Sequence, residues 1–424
     1  MEAKSAGQRS VAVIGGGVSG LVAAYLLSAR DHVTLFEADT RVGGHAHTHH
    51  IDRGDGKTVA VDSAFLVHND RTYPTLCRLF DELGVATQDT DMSMSVRDDA
   101  IGLEYAGARG VGGLFPSWSS LARPRYLRML GEVKRFHRAA TGLLQEPDEN
   151  PETLGSFLDR HGFSDYFIEH FMTPLVAAVW SCPPGEAVRY PARYLFVFLE
   201  HHGMLSVFGS PTWRTVTGGS ATYVEAIVSR IHEVRAGQPV TAVRRVSAGV
   251  EVTAQGSAPA LFDAAVIATH SDQALRMLAE PTPAERAVLG AIPYSTNVAQ
   301  LHTDESVLPR HERARASWNY LATTRDDRVV VSYDITRLMR LGGPRRFIVT
   351  LGGHDVVDPR SVVAEMCYSH PSYTVESVAA QQLLPTLNYD RVAFAGAYHG
   401  WGFHEDGAAS GLRAARHLGA GWPA

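Results

Sequence analysis

Hydrophobic positions first gather at residues 11–14, a short apolar run that ends in Gly15, Gly16 and Gly17. A run of this length bounded by glycine predicts a parallel strand buried on both faces. Leu21, Ala24 and Leu27 then recur at helical spacing, and residues 33–37 form a second apolar run closed by an acid. Strand, helix and strand make one βαβ beginning. Residues 72–84 predict a helix, with Thr72 as its cap, Pro74 in its first turn and Gly84 at its end. Leu76, Leu79, Phe80 and Leu83 form its apolar stripe. A helical pattern follows Gly218-Gly219 within residues 213–230, and residues 240–252 alternate around a turn at Ala248-Gly249. Residues 262–269 and 391–396 read as further buried strands, with a helix over 407–417 after the second. Residues 291–370 are mixed and strand-rich, and there is no repeat or low-complexity tract.

The first turn carries chemistry. Gly15, Gly17 and Gly20 stand as GxGxxG between strand and helix. The first glycine permits the tight turn, the second lets a pyrophosphate approach the backbone, and the third allows close helix packing. The helix start offers free N–H groups and a positive dipole end. Glu37, about twenty residues on, suits an adenosine ribose. Ala38 beside it and Val240 at the start of the alternating segment are further candidate contacts. Arg41, Gly43, Gly44 and Thr48 follow as RxGGxxxT, a loop that an NAD domain alone does not require. Near the other end, residues 394–411 read FAGAYHGWGFHEDGAASG.

These two blocks, in this order, resemble the flavin amine oxidase and phytoene desaturase superfamily. The segments HNDRTYPTLCRLFDELGV, DMSMSV, GLEYAG, SWNYL and GAYHGWGFHEDG resemble, more narrowly, predicted FAD-binding oxidoreductases associated with cyclopropane-fatty-acid synthases, including the oxidase part fused to some plant synthases. The resemblance covers nearly the whole chain and implies bound FAD; none of the usual His or Cys attachment patterns is clear, so non-covalent binding is expected. It implies that His45 and Gly396 lie against the flavin, and that N–H groups around Glu405, Asp406, Gly407 and Ala408 face its pyrimidine edge. Three positions depart from the pattern: His45 replaces an arginine, Ala397 replaces a ribityl-binding acid, and no lysine follows Lys134 to hold water beside the flavin. Ordinary amine oxidation of that type is therefore disfavoured.

At 424 residues the chain exceeds one ordinary core. The expected fold class is α/β, a two-domain FAD-dependent oxidoreductase. A Rossmann-like FAD domain over 1–67, 213–290 and 386–424 is interrupted by a mixed α+β substrate domain over 68–212 and 291–385. The formal net charge of -6 gives no bulk attraction to nucleic acid. Three scattered cysteines, Cys77, Cys182 and Cys367, and an N-terminus without an apolar core point to a cytoplasmic setting. The charge-free stretch 11–29 is long enough to imitate a membrane span, but its glycines describe the nucleotide turn.

Residues 116–144 hold five arginines and Lys134 against the single acid Glu132, interleaved with Trp118, Leu121, Tyr126, Leu127, Leu130 and Phe136. This pattern suits either a peripheral membrane contact or a solvated helix face. His45, His47, His49 and His50 lack cysteine or carboxylate partners; they read as flavin contacts and surface imidazoles, and no metal is expected. His399 and His404 are candidates for proton handling, and Tyr398 and Trp401 for walls beside the flavin. Trp318 and Tyr320 are candidates for the opposite wall. Asp62 and Ser63 read either as flavin-edge residues or as a turn or cap. The expected substrate is apolar, a fatty acyl chain or polyene undergoing desaturation, saturation or isomerisation. The alternatives are an oxygen-dependent oxidase of a small amine or specialised metabolite, and a non-catalytic flavoprotein partner of a lipid methyltransferase.

Overall fold

The computed structural model of the protein describes residues 8–147, 151–180, 184–205, 210–322 and 330–422; Cys182 lies outside them. The first apolar run forms the strand Ser10–Ile14 and the helical spacing forms the helix Val18–Ser28. That helix is buried on nearly every side, which accounts for its charge-free sequence. One side meets the helix His404–His417, where Gly407 and Gly411 permit contact: a Cβ on Gly411 would run into the Ser19 carbonyl.

Among the described residues a five-stranded sheet runs in the order Glu233–Arg235, His32–Phe36, Ser10–Ile14, Ala264–Ile267, Val392–Phe394. Every pairing in it is parallel. A βαβ start therefore leads into strands supplied from three distant stretches of chain, as a discontinuous nucleotide fold requires. The alternating segment forms the antiparallel strands Val240–Val246 and Gly249–Ala254, joined by Ala260–Phe262.

The second sheet has seven strands among the described residues, in the order Val362–Pro371, Tyr294–His302, Ile348–Leu351, Val330–Asp334, Trp318–Ala322, Met94–Asp98, Leu103–Gly107. Its pairings are antiparallel except that Trp318–Ala322 runs parallel to Met94–Asp98. A helical lobe adjoins it. The long helix Pro124–Gln145 buries Tyr126, Met129, Phe136 and Ala140 along one stripe, and Phe136 meets Phe157, Phe163, Phe167 and Phe196 mostly edge-on.

The predicted helix over 72–84 is Pro74–Leu83, closed by Gly84 in the left-handed conformation at φ 68°. Leu76, Leu79 and Phe80 sink into the same apolar cluster as Val11, Leu21 and Val33. The helix Val375–Leu383 likewise buries Ala380 beside Ile14 and Phe394, before the expected return at 386.

Candidate active site

A cavity of about 770 Å3 opens at the carboxyl ends of the parallel strands, where ligands bind in open α/β sheets. Gly15 and Gly17 follow Ile14, Glu37 and Ala38 follow Phe36, Thr269 and His270 follow Ile267, and Gly396 follows Phe394; all line it. The second sheet faces them with Trp318, Tyr333, Val349, Leu351, Tyr368 and His370.

The glycine turn is open toward the cavity. A Cβ on Gly17 would meet nothing within 4 Å, and the helix it starts has no side-chain cap. Its leading N–H groups are free for an anion. Gly44 crosses directly above, a Cβ there lying 3.1 Å from the Gly17 Cα. Glu37 lines the cavity while accepting from the N–H of Gly16 at 2.6 Å and of Asp39 at 2.8 Å, so it is held in place by the turn it serves. Val240 lines the same end.

Several sequence candidates support the cavity from behind. Arg41 donates to the carbonyls of Gly44 at 2.7 Å and Ala46 at 2.9 Å, and Gly43 N–H donates to Gly16 at 2.8 Å. These contacts lock the GG loop to the first turn; neither residue lines the cavity. Gly20 fits against the Gly15 carbonyl. Glu405, Asp406, Gly407 and Ala408, expected at the flavin edge, do not line it either. The helix begins at His404, three residues earlier than expected, so its first turn meets the cavity through Phe403 and His404 instead. Gly407 is taken up in packing against Val18 and Ser19, and Ala408 is fully buried.

Glu405 points the other way and accepts from the N–H groups of Thr75 at 2.9 Å and Leu76 at 3.0 Å. It therefore caps Pro74–Leu83, a role expected of Thr72. Asp406 accepts from Phe403 N–H at 2.9 Å within its own capping box. Burial pushes its pKa up to about 7, against the lowering effect of those backbone donors. Asp62 behaves as a cap: it accepts from the Ser220 N–H and hydroxyl and the Thr48 hydroxyl at the start of Ala221–Val228. Ser63 lines the cavity.

The imidazoles divide. His404 lines the cavity, stacks on Phe65 at 3.8 Å and 6°, and shares a 2.7 Å hydrogen bond with the Tyr223 hydroxyl. Burial lowers its pKa to about 3, so it is neutral and already engaged. His399 does not line the cavity and is buried behind it, its pKa also lowered to about 3, chiefly by burial. It is therefore not placed for proton exchange with a substrate. His45 and His370 line the cavity with ring centroids 5.1 Å apart. Burial holds both below the ordinary range, His370 at about 4. His47 and His49 bond to Tyr368 and Ser63. Among the described residues no group of three or more His, Cys, Asp or Glu is arranged for a metal.

Beyond the glycine turn the walls become aromatic. Trp401 donates to the Tyr194 carbonyl at 3.3 Å, and Trp180 donates to the Trp401 carbonyl at 3.2 Å. Just before it, the Gly400 carbonyl accepts from Tyr194, Tyr373 and Gln381. Phe403 stacks on Phe198 at 4.8 Å. Ala178, Val179, Met204 and Trp213 complete this end. Trp318 lines the cavity as expected of its wall position, whereas Tyr320 is buried in the helical lobe's core. Residues 178–180 escaped sequence reasoning because the run ending at Trp180 looks like any core helix. Thr269 and His270 had a usable signal, their place just after a buried parallel strand.

The residues present fit FAD. The space before Gly17 would admit a pyrophosphate, and four buried groups on the cavity wall, His45 Nε2, His370 Nδ1, Trp318 Nε1 and the Tyr398 hydroxyl, have no protein partner. Such groups are free to bond a ligand or ordered water in the cavity.

A family model of flavin-containing amine oxidoreductases matches residues 18–339 and 350–419. (S)-6-hydroxynicotine oxidase of Paenarthrobacter nicotinovorans is 25% identical over 280 residues, 65% of this chain and 63% of that oxidase, less than two thirds of its length. A cofactor-binding redesign of putrescine oxidase superposes with TM-score 0.70 at 16% identity, over 97% of this chain and 98% of that one. A CLA-producing fatty acid isomerase from P. acnes superposes with TM-score 0.67 at 15% identity, over 98% of this chain and 100% of that one.

Proposed function

The chain belongs to the flavin-containing amine oxidoreductases and is an FAD-dependent oxidoreductase, and from that premise we propose that it acts on C–H or C=C bonds of an apolar substrate, a fatty acyl chain or polyene. The observation that carries this reading is the far end of the cavity, walled by Trp180, Phe198, Met204, Trp213, Trp401 and Phe403. Glu37, at the nucleotide end, is the sole carboxylate among the described lining residues. A hydrocarbon gains from burial against such walls, whereas an ammonium group would find no counter-ion there. The fold itself does not choose, since one neighbour is a putrescine oxidase and another a fatty acid isomerase.

Bound FAD supplies a position that takes up a hydride or returns one, which serves desaturation, saturation and double-bond isomerisation alike. Gly15, Gly17 and the first turn of Val18–Ser28 would hold its phosphates, Glu37 its ribose, and His45 with His370 would bond its polar atoms. Trp401 and Phe403, fixed by their own hydrogen bonds and stacking, orient the substrate and exclude water. His45, His370 and His404 stay neutral, so this wall adds no fixed charge beside an apolar chain.

Oxidation of a small amine is the second reading. It is favoured by the aromatic enclosure itself, because ring faces attract cations, and by the similarity to (S)-6-hydroxynicotine oxidase. Product analysis separates the two. Incubation with unsaturated fatty acids or polyenes is expected to change the number or position of double bonds, while small amines yield no hydrogen peroxide. Peroxide formed from an amine, with every lipid returned unchanged, would overturn the apolar reading.

A further inference from the structure

The face around residues 101–127 takes no part in the cavity. Of the ten exposed large apolar side chains among the described residues, five lie here: Ile101, Val111, Trp118, Leu121 and Leu127. Trp118 is 89% exposed and Val111 76%. The short helices Gly110–Leu114 and Trp118–Leu121 lead into the long helix Pro124–Gln145. They are drawn together by specific contacts. Arg123 donates to the carbonyls of Ile101 at 2.7 Å and Gly102 at 2.9 Å, and the Tyr126 hydroxyl donates to Leu114 at 2.6 Å. Apolar tips on three consecutive elements thus share one face.

The charge beside them is of one sign. The long helix exposes Arg125, Arg128, Lys134, Arg135 and Arg138. Its single acid, Glu132, is buried, bonded to Ser164 and paired with Arg128 and Arg135. Arg125, Lys134 and Arg138 make no ion pair among the described residues. Leu127, Lys134 and Arg138 stand seven and four residues apart, on one side of the helix. Acids nearby are engaged: Asp98 with His170, Asp99 with Arg97 and Arg310, and Glu104 with the N–H groups of Arg310 and His311. This basic, apolar face belongs to a chain whose net charge is -6.

We propose that this face docks on the surface of an anionic phospholipid bilayer. Trp118, Leu121 and Leu127 enter the boundary between headgroups and acyl chains, and Lys134 and Arg138 lie at the phosphates. Such a surface matches both halves of the face at once, hydrocarbon for the apolar tips and negative charge for the unpaired cations. Attachment is peripheral, since no helix among the described residues is long and apolar enough to cross a membrane. The inference stands whatever substrate the cavity takes.

The test is sedimentation of the full-length flavin-loaded protein with vesicles of phosphatidylcholine, with and without phosphatidylglycerol. The protein is expected to pellet with the anionic vesicles, to pellet several-fold less with neutral ones, and to be released by added salt. Lys134→Glu and Arg138→Glu together are expected to weaken partitioning by on the order of twenty-five-fold, about fivefold for each cation removed. Trp118→Ser with Leu121→Ser is expected to weaken it as well, and Trp118→Phe to remove quenching by bromine-labelled acyl chains. Flavin content reports that each variant folds. A protein that stays in the supernatant with both vesicles, or binding that survives both sets of substitutions, would overturn the proposal. So would a dimer that Trp118→Ser and Leu121→Ser dissociate without any vesicle binding, which would give the face to a second copy of the chain.

Discussion

Gly15 and Gly17 stand two residues apart in opposite surroundings. Gly15 has φ +104°, and a Cβ there would lie 2.6 Å from the Ala268 carbonyl oxygen. Gly17 has an ordinary extended backbone, φ -73° and ψ 177°, and faces open space. Gly17→Val is therefore expected to fold, with unchanged circular dichroism, yet to purify colourless because the side chain fills the phosphate position. Gly15→Ala is expected to lose both fold and flavin. Absorbance per folded protein checks the pair; a yellow, fully loaded Gly17→Val protein would contradict the assigned turn. At this scale the sequence was readable where a residue's constraint is local, as in the GxGxxG spacing. It was misleading at Glu405 and His399, whose neighbours in sequence are cavity residues but whose side chains point away from it.

Among elements, the strands Ser10–Ile14 and His32–Phe36 and the helix Val18–Ser28 could be read directly, because glycines separate the first strand from the helix, an acid closes the second strand, and the apolar patterns are unbroken. The cap of Pro74–Leu83 could not. Its acceptor, Glu405, is 330 residues from Thr75, and no local pattern announces a contact of that separation. Glu405 thereby ties the last helix to this one, and its burial pushes its pKa up. Glu405→Ala is expected to lower stability by about 1 to 2 kcal/mol, as for loss of an N-cap acceptor. Glu405→Gln, which keeps an accepting oxygen, should lose less. Urea unfolding with flavin loss as a second probe measures both; equal stability of wild type and Glu405→Ala would remove the capping role. The second sheet was foreseen only as strand-rich, because its order joins residues 94–107 to residues 294–371 and depends on pairing that sequence patterns do not encode.

The whole molecule buries many neutral imidazoles. Burial lowers His68, His202, His302 and His370 to about 4, and His399 and His404 to about 3, from an ordinary value of 6.5. Below that value the unfolded chain binds protons that the folded protein refuses, so stability falls as pH drops from about 6.5 toward about 4. Asp62 and Asp406, raised by burial to about 6 and about 7, act in the opposite sense and cost stability as pH rises through those values. The six imidazoles outnumber the two carboxylates, and the thermal midpoint is expected to be lower at about pH 5 than at about pH 7; an equal or higher midpoint would contradict this balance. The proposed function turns on one claim, that the cavity's aromatic far end takes hydrocarbon rather than charge. Its most direct measurement is an anaerobic titration of the yellow protein, following the visible flavin bands, with a long-chain unsaturated fatty acid and separately with putrescine. The account predicts a saturable change with the fatty acid and none with the diamine; a saturable change with the diamine alone would contradict it.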